Sequence, residues 1–169
     1  MQKNISLIGM PGAGKSTIGV LLAKSIGYPF LDTDLLIQSQ ENRLLHEIIE
    51  DSGINDFLKI EEKTLLNLNL SDHVIATGGS AVYSNNGMNR LKEIGTVIYL
   101  KQSYEEIEKR LGNIKTRGVV ISKGKTLKDL FDERTILYEK YADIIVNCID
   151  KDAETVIETI INMVKHLGI

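Results

Sequence analysis

The sequence predicts an α/β fold, a parallel β-sheet with helices on both faces. Three observations carry this reading. Short apolar runs alternate along the whole chain with longer segments of helical period. The short runs are apolar throughout instead of alternating with polar residues, as strands buried on both faces are. The unusual residues of the chain, Gly9 to Ser16, Asp32 and Asp34, and Gly78 and Gly79, fall directly after those runs. That is the carboxyl edge of a parallel sheet, where such folds bind ligands.

Taken in order, Ile5 to Ile8 is the first strand candidate and ends at Gly9. Thr17 to Ile26 keeps its apolar residues on one helical face. Pro29 to Leu31 is a second strand, closed by Asp32. Leu44 to Glu50 and Phe57 to Leu70 read as two helices, and His73 to Ala76 as a third strand ending at Gly78-Gly79. Thr96 to Leu100 and Ile144 to Val146 are the fourth and fifth strands. Between them, Ser103 and Glu106 have the spacing of a capping box, and Thr126 can cap a helix running to about Tyr138. Asp152 can cap a last helix to about His166. The stretch from Gly112 to Lys125 breaks the alternation. It has three glycines, three lysines and Arg117 without amphipathic period. A loop of this kind in a compact domain reads as an active-site lid, or else as a surface excursion.

At 169 residues the chain has the length of a single domain, 1–169. Lys and Arg number 20 against 23 Asp and Glu, a net charge of −3 that argues against a dedicated nucleic-acid binder. One cysteine, Cys148, excludes a disulfide framework within the chain and suits a reducing compartment. No apolar run approaches the roughly 20 residues of a membrane span, and the N-terminal MQKNISLIGM reads as a buried strand instead of a signal peptide. A cytoplasmic protein without membrane or nucleic-acid partners is expected. His46, His73 and His166 have no metal-ligand spacing.

Gly9-Met-Pro-Gly-Ala-Gly-Lys15-Ser16 fits G-x-x-x-x-G-K-[ST] at every position. Phosphate oxygens must be met by backbone N–H groups, which side chains would obstruct. Glycines at 9, 12 and 14 clear that approach and allow positive φ. The amides then form an anion nest at a helix N-terminus. Lys15 reaches the terminal phosphates and Ser16 ligates Mg²⁺. The ligand is therefore a nucleoside triphosphate. Phosphoryl-transfer enzymes, GTPase-like switches and motors share this cradle. The chain is short for a motor, and Asn113-Ile114-Lys115-Thr116 lacks the Asp of a guanine-reading N-K-x-D. A kinase for a small molecule or nucleotide is the favoured class.

Such a kinase needs two acidic functions near the γ-phosphate. Asp32 and Asp34, two positions apart at a strand end, leave toward the same sheet edge. Asp32 is assigned to the Mg²⁺ side and Asp34 to orienting the acceptor hydroxyl and taking its proton. Alternatively, Asp34 caps a helix starting at Leu35. Gly78-Gly79 offers bare backbone to a small substrate, or makes a tight turn. Arg117 closes on the phosphates or is a solvated charge. Arg134 faces either the pocket or its neighbours Asp132 and Glu133. Cys148 reads as an apolar filler.

Leu7 to Thr17, Phe30 to Asp34, Phe57 to Glu62, Ala76 to Gly79, Arg110, Thr116-Arg117 and Glu133-Arg134 with Tyr138 together resemble the shikimate kinase family, in order and spacing, over essentially the whole chain. The resemblance implies a three-layer P-loop kinase fold with a five-stranded parallel sheet, a substrate-binding subdomain at about 33–62 and a lid at about 112–125. It implies transfer of the ATP γ-phosphate to the 3-hydroxyl of shikimate by a monomer, with Mg²⁺ as cofactor. ATP would be bound by Gly12, Ala13, Gly14, Lys15, Ser16, Thr17, Arg110 beside the adenine and Arg117 on the phosphates. Lys15, Asp34 and Arg117 would be catalytic. Asp34, Gly78, Gly79 and Arg134 would hold the acceptor, Arg134 through its carboxylate, and Ser16 and Asp32 the metal. The chain departs from the family pattern at Leu58, where an Arg is expected, at Ser80, the last of a glycine triplet, and at Gly118, where a Pro follows the lid Arg. Losing a bidentate Arg–carboxylate pair removes about 1.5–3 kcal/mol. Lys59 is no replacement, because one step along a helix turns the side chain by about 100°. Another small hydroxylated acid, polyol or nucleotide acceptor, or a regulatory nucleotide-binding role, are the alternatives.

Overall fold

A computed structural model describes residues 4–112, 121 and 123–166. Five strands alternate with helices in one parallel sheet of order β2-β3-β1-β4-β5. They are β1 (Asn4–Ile8), β2 (Phe30–Asp32), β3 (Val74–Ala76), β4 (Gly95–Lys101) and β5 (Ile144–Asn147). The helices are α1 (Lys15–Ile26), α2 (Thr33–Glu41), α3 (Leu45–Leu66), α4 (Asn85–Ile94), α5 (Tyr104–Arg110), α6 (Leu127–Tyr141) and α7 (Ala153–His166). A short 3₁₀ helix, Ala81–Tyr83, links β3 to α4. Among the described residues no helix is long and apolar enough to cross a membrane.

Successive strand residues point to opposite faces, which sorts the core into two layers. Ile5, Leu7, Ile98 and Val146 pack with Leu22, Val156 and Ile160 under α1 and α7. Ile8, Ile75, Val97 and Tyr99 pack on the other face with Leu65, Leu91, Leu130 and Tyr138 under α3, α4 and α6. Ile37, Ile48 and Phe57 form a small separate cluster between α2 and α3.

The five strands lie where the apolar runs place them, shifted by a residue at their ends. The helices differ more. The segments 44–50 and 57–70 are joined in one element, α3, which ends at Leu66, four residues short of the predicted end, and whose path turns at Gly53 (φ 80°, ψ 166°), a conformation that glycine tolerates. Helix α2 lacks a clear apolar stripe in sequence, whereas α4 buries Met88, Leu91 and Ile94 at helical spacing. Both start on a side-chain cap: Asp32 accepts from the amides of Asp34 and Leu35, and Ser84 from that of Gly87. The predicted caps at Ser103, Thr126 and Asp152 form, with Thr126 and Asp129 making a full capping box.

Asn4, fully buried at the start of the central strand, ties three segments together. Its amide donates to the carbonyls of Leu70 (2.7 Å) and Ile94 (2.9 Å), and its carbonyl accepts from the His73 amide (2.9 Å). These bonds set where β3 and β4 begin beside β1, and hence where the opposite, carboxyl ends of all three strands stop. Removing one partner strands buried polar groups. Asn4→Ala is expected to cost about 2–4 kcal/mol. Urea unfolding checks it, as a lower midpoint at unchanged slope.

Candidate active site

The carboxyl ends of β1, β2 and β3 surround a cleft of about 550 Å³. Its floor is the Gly9–Ser16 loop. Gly12 (φ 80°) and Gly14 (φ 94°) take left-handed conformations that let the backbone fold under the start of α1. Lys15 is the first residue of that helix and is buried. Its ammonium donates to the carbonyls of Gly9 (2.7 Å) and Met10 (2.9 Å). Burial lowers its pKa to about 8, against the opposing pull of Asp34.

Ser16 Oγ donates to Asp32 Oδ2 at 2.6 Å. The other oxygen of Asp32 caps α2, so the cap belongs to Asp32 and leaves Asp34 in the first turn, lining the cleft. Burial, with Asp32 adding, raises the Asp34 pKa to about 6, while Lys15 works the other way. Hard oxygen donors beside a phosphate cradle suit Mg²⁺; Ser16 and Asp32 are such a pair.

The opposite wall is the turn after β3. A Cβ on Gly78 would stand 2.4 Å from Glu61 Oε1 and 2.7 Å from Asp34 Oδ1. One on Gly79 would stand 2.6 Å from the Pro11 ring and 3.0 Å from Arg134 Nη1. Two bare positions therefore let two carboxylates, the loop and a guanidinium close on the same turn. Arg134 is fully buried and lines the cleft instead of meeting its sequence neighbours. Asp132 pairs with Lys128, and Glu133 with Lys125.

Glu61 stands in the sequence only as one position of the Phe57–Glu62 run, with no role of its own. It sits one helical turn beyond Phe57, on the buried side of α3. It accepts from Ser80 Oγ (2.7 Å), while its Oε1 has no hydrogen-bond partner among the described residues. Burial raises its pKa to about 7; Ser80, Arg134 and Lys15 counteract and Asp34 reinforces the rise. A Glu on the apolar side of a helix was the available signal.

Arg110 donates to the Gly12 carbonyl (3.0 Å) and to Glu106 (2.6 Å). It borders a second cavity of about 180 Å³, which shares Gly14, Thr17 and Arg110 with the cleft. Gln102 and Lys151 line it too. They follow β4 and β5, and no local motif marks them. Cys148 also borders this cavity, yet its thiol donates to the Val146 carbonyl and burial raises its pKa to about 11, as suits a filler. Leu58 lines a smaller cavity of about 160 Å³ with Glu61, Ser80 and Tyr83. Arg117 and most of the 112–125 segment lie outside the described residues.

A phosphate-loop motif on one side of the cleft and a turn of bare backbone on the other suit phosphoryl transfer, and the protein is a P-loop phosphotransferase with an alcohol acceptor. Comparison with known proteins narrows the class. A family model described as shikimate kinase matches residues 11–165. The shikimate kinase of Sulfurihydrogenibium sp. is 34% identical over 165 residues, 97% of this chain and 99% of the relative. That of Histophilus somni is 36% identical over 172 residues, 99% and 98% of the two chains. The structure of shikimate kinase from Acinetobacter baumannii in complex with shikimate superposes with a TM-score of 0.90 at 30% identity, covering 98% of this chain and 94% of that one. The Aquifex aeolicus enzyme gives 0.80 at 32% identity, covering 98% of each. The chain belongs to the shikimate kinase family.

Burial of Glu61 has a consequence for stability. Its pKa is 4.5 ordinarily and about 7 in the fold. The folded protein thus binds the extra proton between those values. The contribution is complete below pH 4.5 and is lost as pH rises toward 7. Glu61→Gln removes the titration. Its stability relative to the parent should therefore be higher at pH 8 than at pH 5, by on the order of 3 kcal/mol. Unfolding of both proteins at the two pH values tests this; an equal difference at both contradicts it.

Proposed function

We propose that this chain transfers the γ-phosphate of ATP to the 3-hydroxyl of shikimate. The observation that carries the reading is Asp34, set in the cleft between the cradle lysine and the bare turn at Gly78. The amides of Gly12, Ala13, Gly14, Ser16 and Thr17 hold the phosphates at the α1 N-terminus, where the helix dipole adds to the attraction. Lys15 neutralises charge on the transferred group, aided by Arg117 from the 112–125 segment acting as a lid. Arg110 and the adjoining cavity take the base. The α2–α3 region, about 33–62, forms the acceptor subdomain. The acceptor ring lies on Gly78 and Gly79, with its carboxylate on Arg134.

Asp34 orients the acceptor hydroxyl and takes its proton as the oxygen attacks in line. An elevated pKa fits a base that must accept a proton near neutrality. Ser16 and Asp32 would hold Mg²⁺, which when bound supplies positive charge against the phosphates. The protein otherwise contributes positioning and charge neutralisation. A monomeric cytoplasmic enzyme completes the reading.

Asp34→Asn keeps the shape and removes the base. Its kcat should fall by about 100-fold or more while ATP affinity stays within about twofold. Single-turnover kinetics and nucleotide titration separate the two, and loss of ATP affinity with surviving turnover would contradict the role. Leu58→Arg should lower the KM for shikimate by about tenfold through a second charge on the carboxylate. Steady-state assays check it. An unchanged KM points instead to a different hydroxylated acid as acceptor.

A further inference from the structure

Arg134 is the largest fully buried side chain among the described residues, and a buried guanidinium has to be held by its neighbours. Its Nε donates to the hydroxyl of Tyr83 at 3.3 Å, and its Cζ lies 5.1 Å from the centre of the Tyr83 ring. Tyr83 is the last residue of the 3₁₀ helix that leaves the Gly78–Ser80 turn. It therefore connects the turn on which the acceptor lies to the helix, α6, that carries Arg134.

The direction of the hydrogen bonds is informative. A phenol has one proton to give. Tyr83 gives it to Glu133 Oε1 at 2.7 Å, so its oxygen presents lone pairs to the arginine. Glu133 in turn pairs with Lys125, and those two contacts hold its pKa below the ordinary carboxylate value. A firmly anionic Glu133 keeps the Tyr83 proton turned away from the guanidinium. On the other side, Tyr138 donates to the Gly79 carbonyl at 2.6 Å and also hydrogen-bonds Arg134. Each phenol spends its proton elsewhere and offers oxygen to the same cation.

We infer that Tyr83, its hydroxyl oriented by Glu133, is a positioning residue that sets Arg134 for the acceptor's carboxylate, and so contributes to selectivity for acidic acceptors. This rests on the reading of Arg134 as the carboxylate-binding group. Tyr83 does not line the cleft that Lys15, Asp34 and Arg134 share. Its removal should act on acceptor binding and leave phosphoryl transfer alone.

The test is steady-state kinetics of the full chain with ATP and two acceptors, shikimate and its carboxamide analogue, for the parent, Tyr83→Phe, Glu133→Gln and Arg134→Gln. Thermal melting confirms that each is folded, and Arg134→Lys substitutes if Arg134→Gln is not. Tyr83→Phe keeps the ring and removes the oxygen. It should raise the shikimate KM about tenfold, with kcat and the KM for ATP within about twofold of the parent. Glu133→Gln should raise the shikimate KM less, because the hydroxyl persists. With the carboxamide, Tyr83→Phe and the parent should have equal KM, a result that general loosening of the fold would not give. A rise in shikimate KM in Arg134→Gln but not in Tyr83→Phe overturns the role of Tyr83. So does an equal rise for both acceptors in Tyr83→Phe. An Arg134→Gln protein with unchanged shikimate KM overturns the underlying reading of Arg134 itself.

Discussion

Placing two cations and two carboxylates around one bare turn is the constraint that shapes this molecule. Lys15, Arg134 and Glu61 are buried, and Asp34 is partly buried, around Gly78 and Gly79. An isolated charge there would cost more than the fold can supply. The arrangement holds because the carboxylates and cations offset one another's charge around a turn that has no side chains. A Cβ at Gly78 would meet both carboxylates, and one at Gly79 the loop and the guanidinium. The order of the sheet serves this wall. Placing β3 beside β1 brings the turn after Ala76 against the loop after Ile8, and placing β2 beside β3 adds Asp32 and Asp34.

The parts legible in sequence are those whose chemistry is local. The phosphate loop is read from eight consecutive residues because backbone geometry and glycine content dictate each other there. The central strands are legible because both their faces are buried, which leaves short, continuously apolar runs. Asp32 and Asp34 are legible as a pair, but their division of labour is not. Which of them caps α2 depends on a hydrogen bond from Ser16 that fixes the Asp32 side chain. Helix α2 is legible only as the alternative that Asp34 caps it, and its cap proves to be Asp32; α4 is missed although Ser84 caps it and Met88, Leu91 and Ile94 recur at helical spacing. The break in α3 at Gly53 is a backbone event, and a helical period on either side says nothing of whether the chain continues through it.

Other parts of the site are set by contacts between distant segments. Glu61 meets Ser80 across nineteen positions, and Tyr83 meets Glu133 across fifty. No spacing rule reaches that far. Gln102 and Lys151 join Arg110 only because β4 and β5 lie side by side and end at the same edge. What sequence does supply is the type of residue out of place. A Glu on the buried side of a helix, or an Arg on a segment whose acids are already paired, marks a side chain with work inside the fold.

Leu58 and Ser80, the two departures on the acceptor side, are linked through Glu61. All three line one small cavity. With Leu at 58, no guanidinium from that position faces the Glu61 carboxylate. The Ser80 hydroxyl then satisfies one of its oxygens, and burial drives the group toward its neutral form. A Glu61 shifted toward its neutral form carries less negative charge beside Asp34 and competes less for Arg134. The cationic demand of the wall falls as its anionic content falls. Read this way, losing one arginine and gaining one hydroxyl are a single adjustment. Under the proposed function, acceptor recognition falls more heavily on Arg134, and the two tyrosines that flank it then matter more in this chain than they would beside a second guanidinium.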